Sequence, residues 1–149
     1  MSDTSDDFAA KYERYDRILA ECNLFNRNAV FDALAAACID TVVANFNGES
    51  DSGQIEDLVA LSGDKSKTLP DIHIEHRHIP WGADTYESIR TELDAAIEEL
   101  CYSFLSETNE GWENDDGAFG DFTFDVAKRT IVLDFNARFS SSVNHSYTF

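Results

Sequence analysis

Three histidines, His73, His76 and His78, fall within one short segment of this chain, and two of them carry its most recognisable metal-ligand spacing. Alternation along Asp71–Ile79 predicts a strand in which His76 and His78 share a face, so that two imidazoles could meet one ion. Ile72 and Ile74 lie on that same face, and the pattern reads first as a core face whose end leaves the core. No Cys pair or His-Glu helix motif completes a coordination set, and nothing in the spacing ties His145 to it. A second candidate, Glu113-Asn114-Asp115-Asp116-Gly117 with Asp121, offers the hard oxygen donors that calcium and magnesium prefer. It departs from the calcium-loop register, because Trp112 stands where an acid is required five residues before Gly117. Asp51-Ser52-Gly53 matches the nucleophile tripeptide of chymotrypsin-like proteases, but the rest of that pattern is missing and 149 residues cannot house two barrels. The expectation is a protein with no catalytic residue, no resident metal and no cofactor.

Carboxylates are what this chain holds in excess, with 29 Asp and Glu against 11 Lys and Arg and a net charge of −18. Asn28–Asp64 contains seven acids and Thr91–Ala127 eleven, with no Lys or Arg in either, while the remainder holds eleven of each sign. Paired carboxylates for acid–base work could be drawn from any of these, so no pair is singled out. Concentration in two stretches points instead to a surface that faces something positive. The candidate partner-binding residues are Glu49, Asp51, Glu56 and Asp57 around one predicted loop, and Glu107, Glu110, Trp112, Glu113, Asp115, Asp116 and Asp121 around another. Trp112 suits either a staple of its loop onto the fold or an interface anchor.

A frame must hold those residues, and the composition bounds it. With 43% hydrophobic residues and eleven Phe in 149, the chain can bury one substantial core, so residues 1–149 read as a single domain with a flexible lead over 1–7. Cys22, Cys38 and Cys101 are odd in number and sit in helical contexts, which fits free thiols in a reducing compartment. The polar start lacks the basic and apolar regions of a signal peptide, and no apolar run is long enough to span a bilayer. A cytoplasmic location is expected. Strong acidity repels nucleic acid and anionic membranes. Salt adaptation would spread acids everywhere, whereas Lys11–Arg27 mixes both signs.

Periodicity then places the elements. Phe8, Tyr12, Tyr15, Ile18, Leu19 and Cys22 mark a first helix, which Asn23–Asn26 is expected to break. Asn28 caps a second through Leu34 and Ala37. Asp40–Phe46 and Gln54–Leu61 read as strands joined by the turn-rich Asn47–Gly53. Gly63–Pro70 reads as a polar connection and the His segment as a third strand. Asp84-Thr85-Tyr86-Glu87 has capping-box form and opens a long helix through Ile89, Leu93, Ala96, Ile97, Leu100 and Phe104. Acids at Asp94 and Glu98 repel along it. Phe122–Val126 and Ile131–Phe135 are alternating strands around Ala127-Lys128-Arg129, with an edge strand at Tyr147–Phe149. The order ααβββαββ predicts an α+β fold, an antiparallel sheet of about five strands with helices packed on one face. The segments Phe46–Asp57 and Glu107–Asp121 should then project as acidic loops.

Asn47-Gly48-Glu49-Ser50-Asp51-Ser52-Gly53-Gln54-Ile55-Glu56 and Gly111-Trp112-Glu113-Asn114-Asp115-Asp116-Gly117-Ala118-Phe119-Gly120 together resemble an uncharacterised bacterial family. That family carries a Gly-Asp-Ser-Gly-Gln-Ile-Glu-like hairpin and a Gly-Trp-Glu-Asn-Asn-Asp-Gly-like loop. The resemblance spans roughly Asn28–Phe139. Cys38 stands where the family tends to have a helix-ending Gly, and Ser50 replaces the Gly before Asp-Ser-Gly. The resemblance implies fold boundaries and no activity.

The function expected is a non-enzymatic binder of a basic protein surface. One form is a nucleic-acid mimic, an anti-CRISPR or anti-restriction inhibitor from a phage or mobile element that engages a nucleic-acid-handling complex. The alternatives are an operon-encoded adaptor for one protein partner, and a small metal-dependent enzyme built on His76 and His78 or the Asp115-Asp116 loop.

Overall fold

Thr4–Ala36 forms one helix, α1, of 33 residues, about 50 Å long at a rise of about 1.5 Å per residue. The computed structural model describes residues 4–49, 52–108, 117–137 and 143–149. The expected break at Asn23–Asn26 does not occur, because tertiary partners take up the amides that would otherwise compete for helix backbone. Asn26 Nδ2 donates to the Arg77 carbonyl at 2.8 Å and its Oδ1 accepts the Arg77 N–H at 2.8 Å. Asn23 Oδ1 accepts from Ser103 Oγ at 3.3 Å. The helix stops where Cys38 turns left-handed, φ 59°. Ile39 N donates to Leu34 O and Cys38 N to Ala35 O, the paired bonds of a Schellman end, with Ile39 and Leu34 both buried beneath it.

The chain then builds a hairpin from β1 (Thr41–Glu49) and β2 (Ser52–Ser62), and Gly63 in left-handed conformation, φ 61°, returns it into β3 (Lys65–Lys67). The Gly63 N–H donates to Asp40 Oδ2 at 2.7 Å. The hairpin ladder runs out to Glu49↔Ser52, so most of the expected Phe46–Asp57 loop is paired strand. The register shifts between Asn45 and Phe46, which makes Glu56 the extra residue of a bulge. The freed Ile55 N–H donates to Tyr102 Oη at 2.8 Å, tying the bulge to the second helix.

Glu87–Glu92 is a strand and not the first turns of a helix, which corrects the capping-box expectation. It is β5, paired in full register with β4 (His73–His78), and α2 spans Leu93–Thr108. Ile89 and Thr91 favour extended backbone, and Leu93 N donates to Ile72 O where the chain turns into the helix. From Leu93 onward the helical period is real: Leu93, Ala96, Ile97, Leu100, Cys101, Phe104 and Leu105 are all buried.

Three further strands, β6 (Ala118–Asp125), β7 (Thr130–Ala137) and β8 (Val143–Thr148), complete an antiparallel sheet of six strands in the order β3-β2-β1-β6-β7-β8. β4 and β5 form a separate two-stranded ribbon that packs on α1 and α2. The fold is α+β, as expected, but its order is αβββββαβββ, with eight strands among the described residues in place of about five. Phe31 of α1 meets Phe124 at 6.0 Å and Phe104 of α2 meets Phe122 at 6.3 Å, so both helices cover the same sheet face. Gly120 lies between Phe46 and Phe135 in the ladder, whose rings stack at 6.1 Å. A Cβ at Gly120 would fall 1.9 Å from the Asp134 carbonyl oxygen.

Candidate functional site

With the helices on one face of the sheet, alternation leaves the other face open among the described residues. Val42, Ala44 and Phe46 of β1 are buried under the helices, while Thr41, Val43, Asn45 and Asn47 alternate with them as partly exposed residues. The same holds along β6 for Phe122 and Phe124 against Asp121, Thr123 and Asp125. The register then sets the rows across the open face. Asp57, Asn45, Asp121 and Asp134 are successive partners on β2, β1, β6 and β7. Val59, Val43, Thr123 and Val132 form the next row. Adjacent strands are about 4.8 Å apart, so Asp57 and Asp121 stand roughly 10 Å from each other with Asn45 between them.

Asp121 and Asp134 face each other directly across the β6–β7 ladder. Partial burial and then the Asp134 charge hold the Asp121 carboxyl above its ordinary range. Like charges opposed across a ladder destabilise a sheet by about 0.2–1 kcal/mol. Glu56 joins the same face from the bulge, its Oε1 accepting from Asn47 Nδ2 at 3.4 Å. Asp125 is partly spent on the fold, since its Oδ1 accepts the Lys128 N–H at 3.1 Å in the β6–β7 turn. Among the described residues no Lys or Arg occupies a position on this face. Arg129 turns away to pair with Asp32 of α1, and Arg27 donates to its carbonyl.

Of the residues expected from sequence, Glu56, Asp57 and Asp121 come together here, although they belong to different acidic stretches. Glu49 lies at the end of the β1–β2 ladder and Glu107 in α2, both by backbone position only. Asp51, Glu110, Trp112, Glu113, Asp115 and Asp116 lie outside the described residues. Asp134 is not among the expected residues, because it is the one acid in residues 128–149, which hold three bases. The alternation of Ile131, Leu133 and Phe135 marks it as outward-facing, but its place opposite Asp121 follows from strand pairing.

The histidine strand does different work. His76 is buried and its Nδ1 has no partner among the described residues; burial first, and then the His78 charge, favour its neutral form, while Glu99 opposes this. His78 pairs with Glu87 at 2.8 Å. Arg77 lies between the Phe25 ring, 3.8 Å away, and the Tyr86 ring, 4.9 Å away. These contacts hold the ribbon to α1. Among the described residues no three His, Cys, Asp or Glu side chains gather in a geometry that could hold a metal ion. A further acidic group, Glu92, Asp94 and Glu98, lines a groove of about 610 Å³ with Lys67 on the helix side. Burial, then Asp94 and Glu99, raise the Glu98 carboxyl. No described helix is long and apolar enough to cross a membrane.

Neither a curated protein nor a solved structure matches the chain. Over residues 23–149 it matches one family, and the chain therefore belongs to that family of unknown function, DUF6878.

Proposed function

We propose that this protein is a non-enzymatic binder that lays the open face of its six-stranded sheet against a basic protein surface. One observation carries the reading: Asp57, Asn45, Asp121 and Asp134 stand in a single row across the sheet, with Asp121 and Asp134 directly opposed. A row of carboxylates on a rigid sheet face suits a partner surface of the opposite sign.

Two forms of the reading differ in what the partner recognises. The net charge of −18, concentrated in two stretches, supports nucleic-acid mimicry of the anti-CRISPR or anti-restriction kind. The row Val59, Val43 and Val132 beside the acids, with Val59 39% exposed, supports an adaptor for one specific protein. Apolar area has no counterpart on a phosphate backbone, so the geometry favours the adaptor.

The test is capture of partners from lysate of the source cell by the wild type and by Asp57→Lys/Asp121→Lys/Asp134→Lys. Loss of a captured protein in the triple variant supports docking through this face. Release of that protein by added duplex DNA assigns mimicry, and indifference to DNA assigns an adaptor.

A further inference from the structure

The two edges of the six-stranded sheet are built differently. An edge strand offers its outward N–H and C=O groups to any strand that meets it, and short length, Lys, Pro or a bulge normally blunts it. At one end β3 has three residues, two of them Lys65 and Lys67. At the other, β8 has six residues with no Lys, Asp, Glu or Pro among them, and its register with β7 runs without a bulge. Phe149 stacks on Phe104 of α2 at 4.6 Å, which anchors the end of β8 to the core.

Ile131 and Phe149 exchange both backbone bonds, the Ile131 N–H donating at 3.3 Å and the Phe149 N–H at 2.7 Å. Such pairs alternate along an antiparallel ladder. Residues 147, 145 and 143 therefore bond β7 in the same way, and the N–H and C=O groups of Asn144, Ser146 and Thr148 point away from it. Among the described residues no strand lies beyond them. Ser146 and Thr148 are exposed. Ser146 is also the β8 partner of Asp134, so it stands at the end of the row Asp57, Asn45, Asp121 and Asp134.

We propose that β8 pairs antiparallel with β8 of a second copy of this chain, Ser146 opposite Ser146 at a two-fold axis. The outward set is symmetric about Ser146, so Asn144 of each copy meets Thr148 of the other and every outward backbone group gains a partner. The contact is isologous and closes as a dimer. Each chain carries −18, yet this strand meets its own copy without like charges in contact, whereas a basic partner would find no charge on it to recognise. The two sheets become one, with both open faces on the same side, and the acidic row continues through the paired serines. The two Asp134 positions then stand three strand spacings apart, about 14 Å, beyond the Debye length of about 8 Å at physiological salt. The inference rests on the backbone of the edge and stands whether or not the open face docks a basic surface.

The test is the mass of the full chain, measured by sedimentation across a concentration series at physiological salt. The wild type is expected to dimerise. Ser146→Pro removes an N–H that faces the edge and not β7, and is expected to weaken the dimer at least about tenfold while the thermal transition persists. Cross-linking reads the register and decides the matter should proline unfold the strand. The exposed Cys38 is first replaced, as Cys38→Gly. In that background Ser146→Cys is expected to form a disulfide-linked dimer on mild oxidation, because hydrogen-bonded partners have Cα atoms about 5.5 Å apart. Thr148→Cys should stay unlinked, its counterpart lying about 14 Å along the strand. A wild type that is monomeric at every concentration would overturn the proposal and leave the edge to a strand of another protein. An undiminished dimer in a folded Ser146→Pro, or a Ser146→Cys that stays unlinked, would overturn it too.

Discussion

Cys38 holds a backbone conformation, φ 59°, that disfavours any residue with a Cβ by about 1–2 kcal/mol. It does so because the Schellman bonds of α1 and the burial of Ile39 against Leu34 require the chain to turn there. The family resemblance puts a glycine at this position, and the structure supplies the reason. Cys38→Gly is expected to raise stability by about 1 kcal/mol, less than the full strain because glycine gains freedom in the unfolded chain; chemical denaturation measures it. A second residue-scale prediction concerns Asp121. Its folded-state carboxyl is raised by burial and by Asp134, so the folded protein binds this proton more tightly than the unfolded chain does. The stability linked to that proton is present at acid pH and lost as pH rises through the raised value. Asp121→Asn should therefore be more stable than wild type at neutral pH, by about 0.2–1 kcal/mol. The advantage should shrink as pH falls into the carboxylate range, which melting curves at several pH values would show.

Among the elements, two that differ from expectation, the unbroken α1 and the start of α2, are decided by partners distant in the chain. Asn26 looks like a helix breaker locally and becomes a helix residue because β4 offers it a backbone donor and acceptor, 51 residues away. Ile89 looks like the start of a helical stripe and lies in β5 because the histidine strand pairs with it. Where alternation was strong and local, at Phe122–Val126 and Ile131–Phe135, expectation and structure agree. Asn26→Ala tests the first of these points. It leaves the Arg77 N–H and C=O without their partner, each worth about 1–3 kcal/mol when buried. The domain is expected to lose about 2–4 kcal/mol, read as a lowered urea midpoint. A loss within a few tenths would show that the ribbon is held by its other contacts.

At the scale of the whole molecule, part of the acidity visible in the sequence gathers on one face of the sheet. Two stretches far apart in the chain contribute to one row because β1 pairs with β2 in the expected hairpin and with β6 on its other side, the second a pairing that no local pattern announces. Glu56, Asp57 and Asp121 were legible as acids in sequence, but their neighbourhood and the valine row beside them were not. The central claim is that this face docks a basic protein. Its most direct test compares capture from lysate by Asp57→Lys/Asp121→Lys/Asp134→Lys with capture by Glu13→Lys/Asp16→Lys, a reversal confined to the exposed Lys11–Arg17 stretch of α1. The account predicts that the sheet-face variant loses the captured partner while the α1 variant retains it. Capture by the sheet-face variant equal to that of the wild type would contradict it.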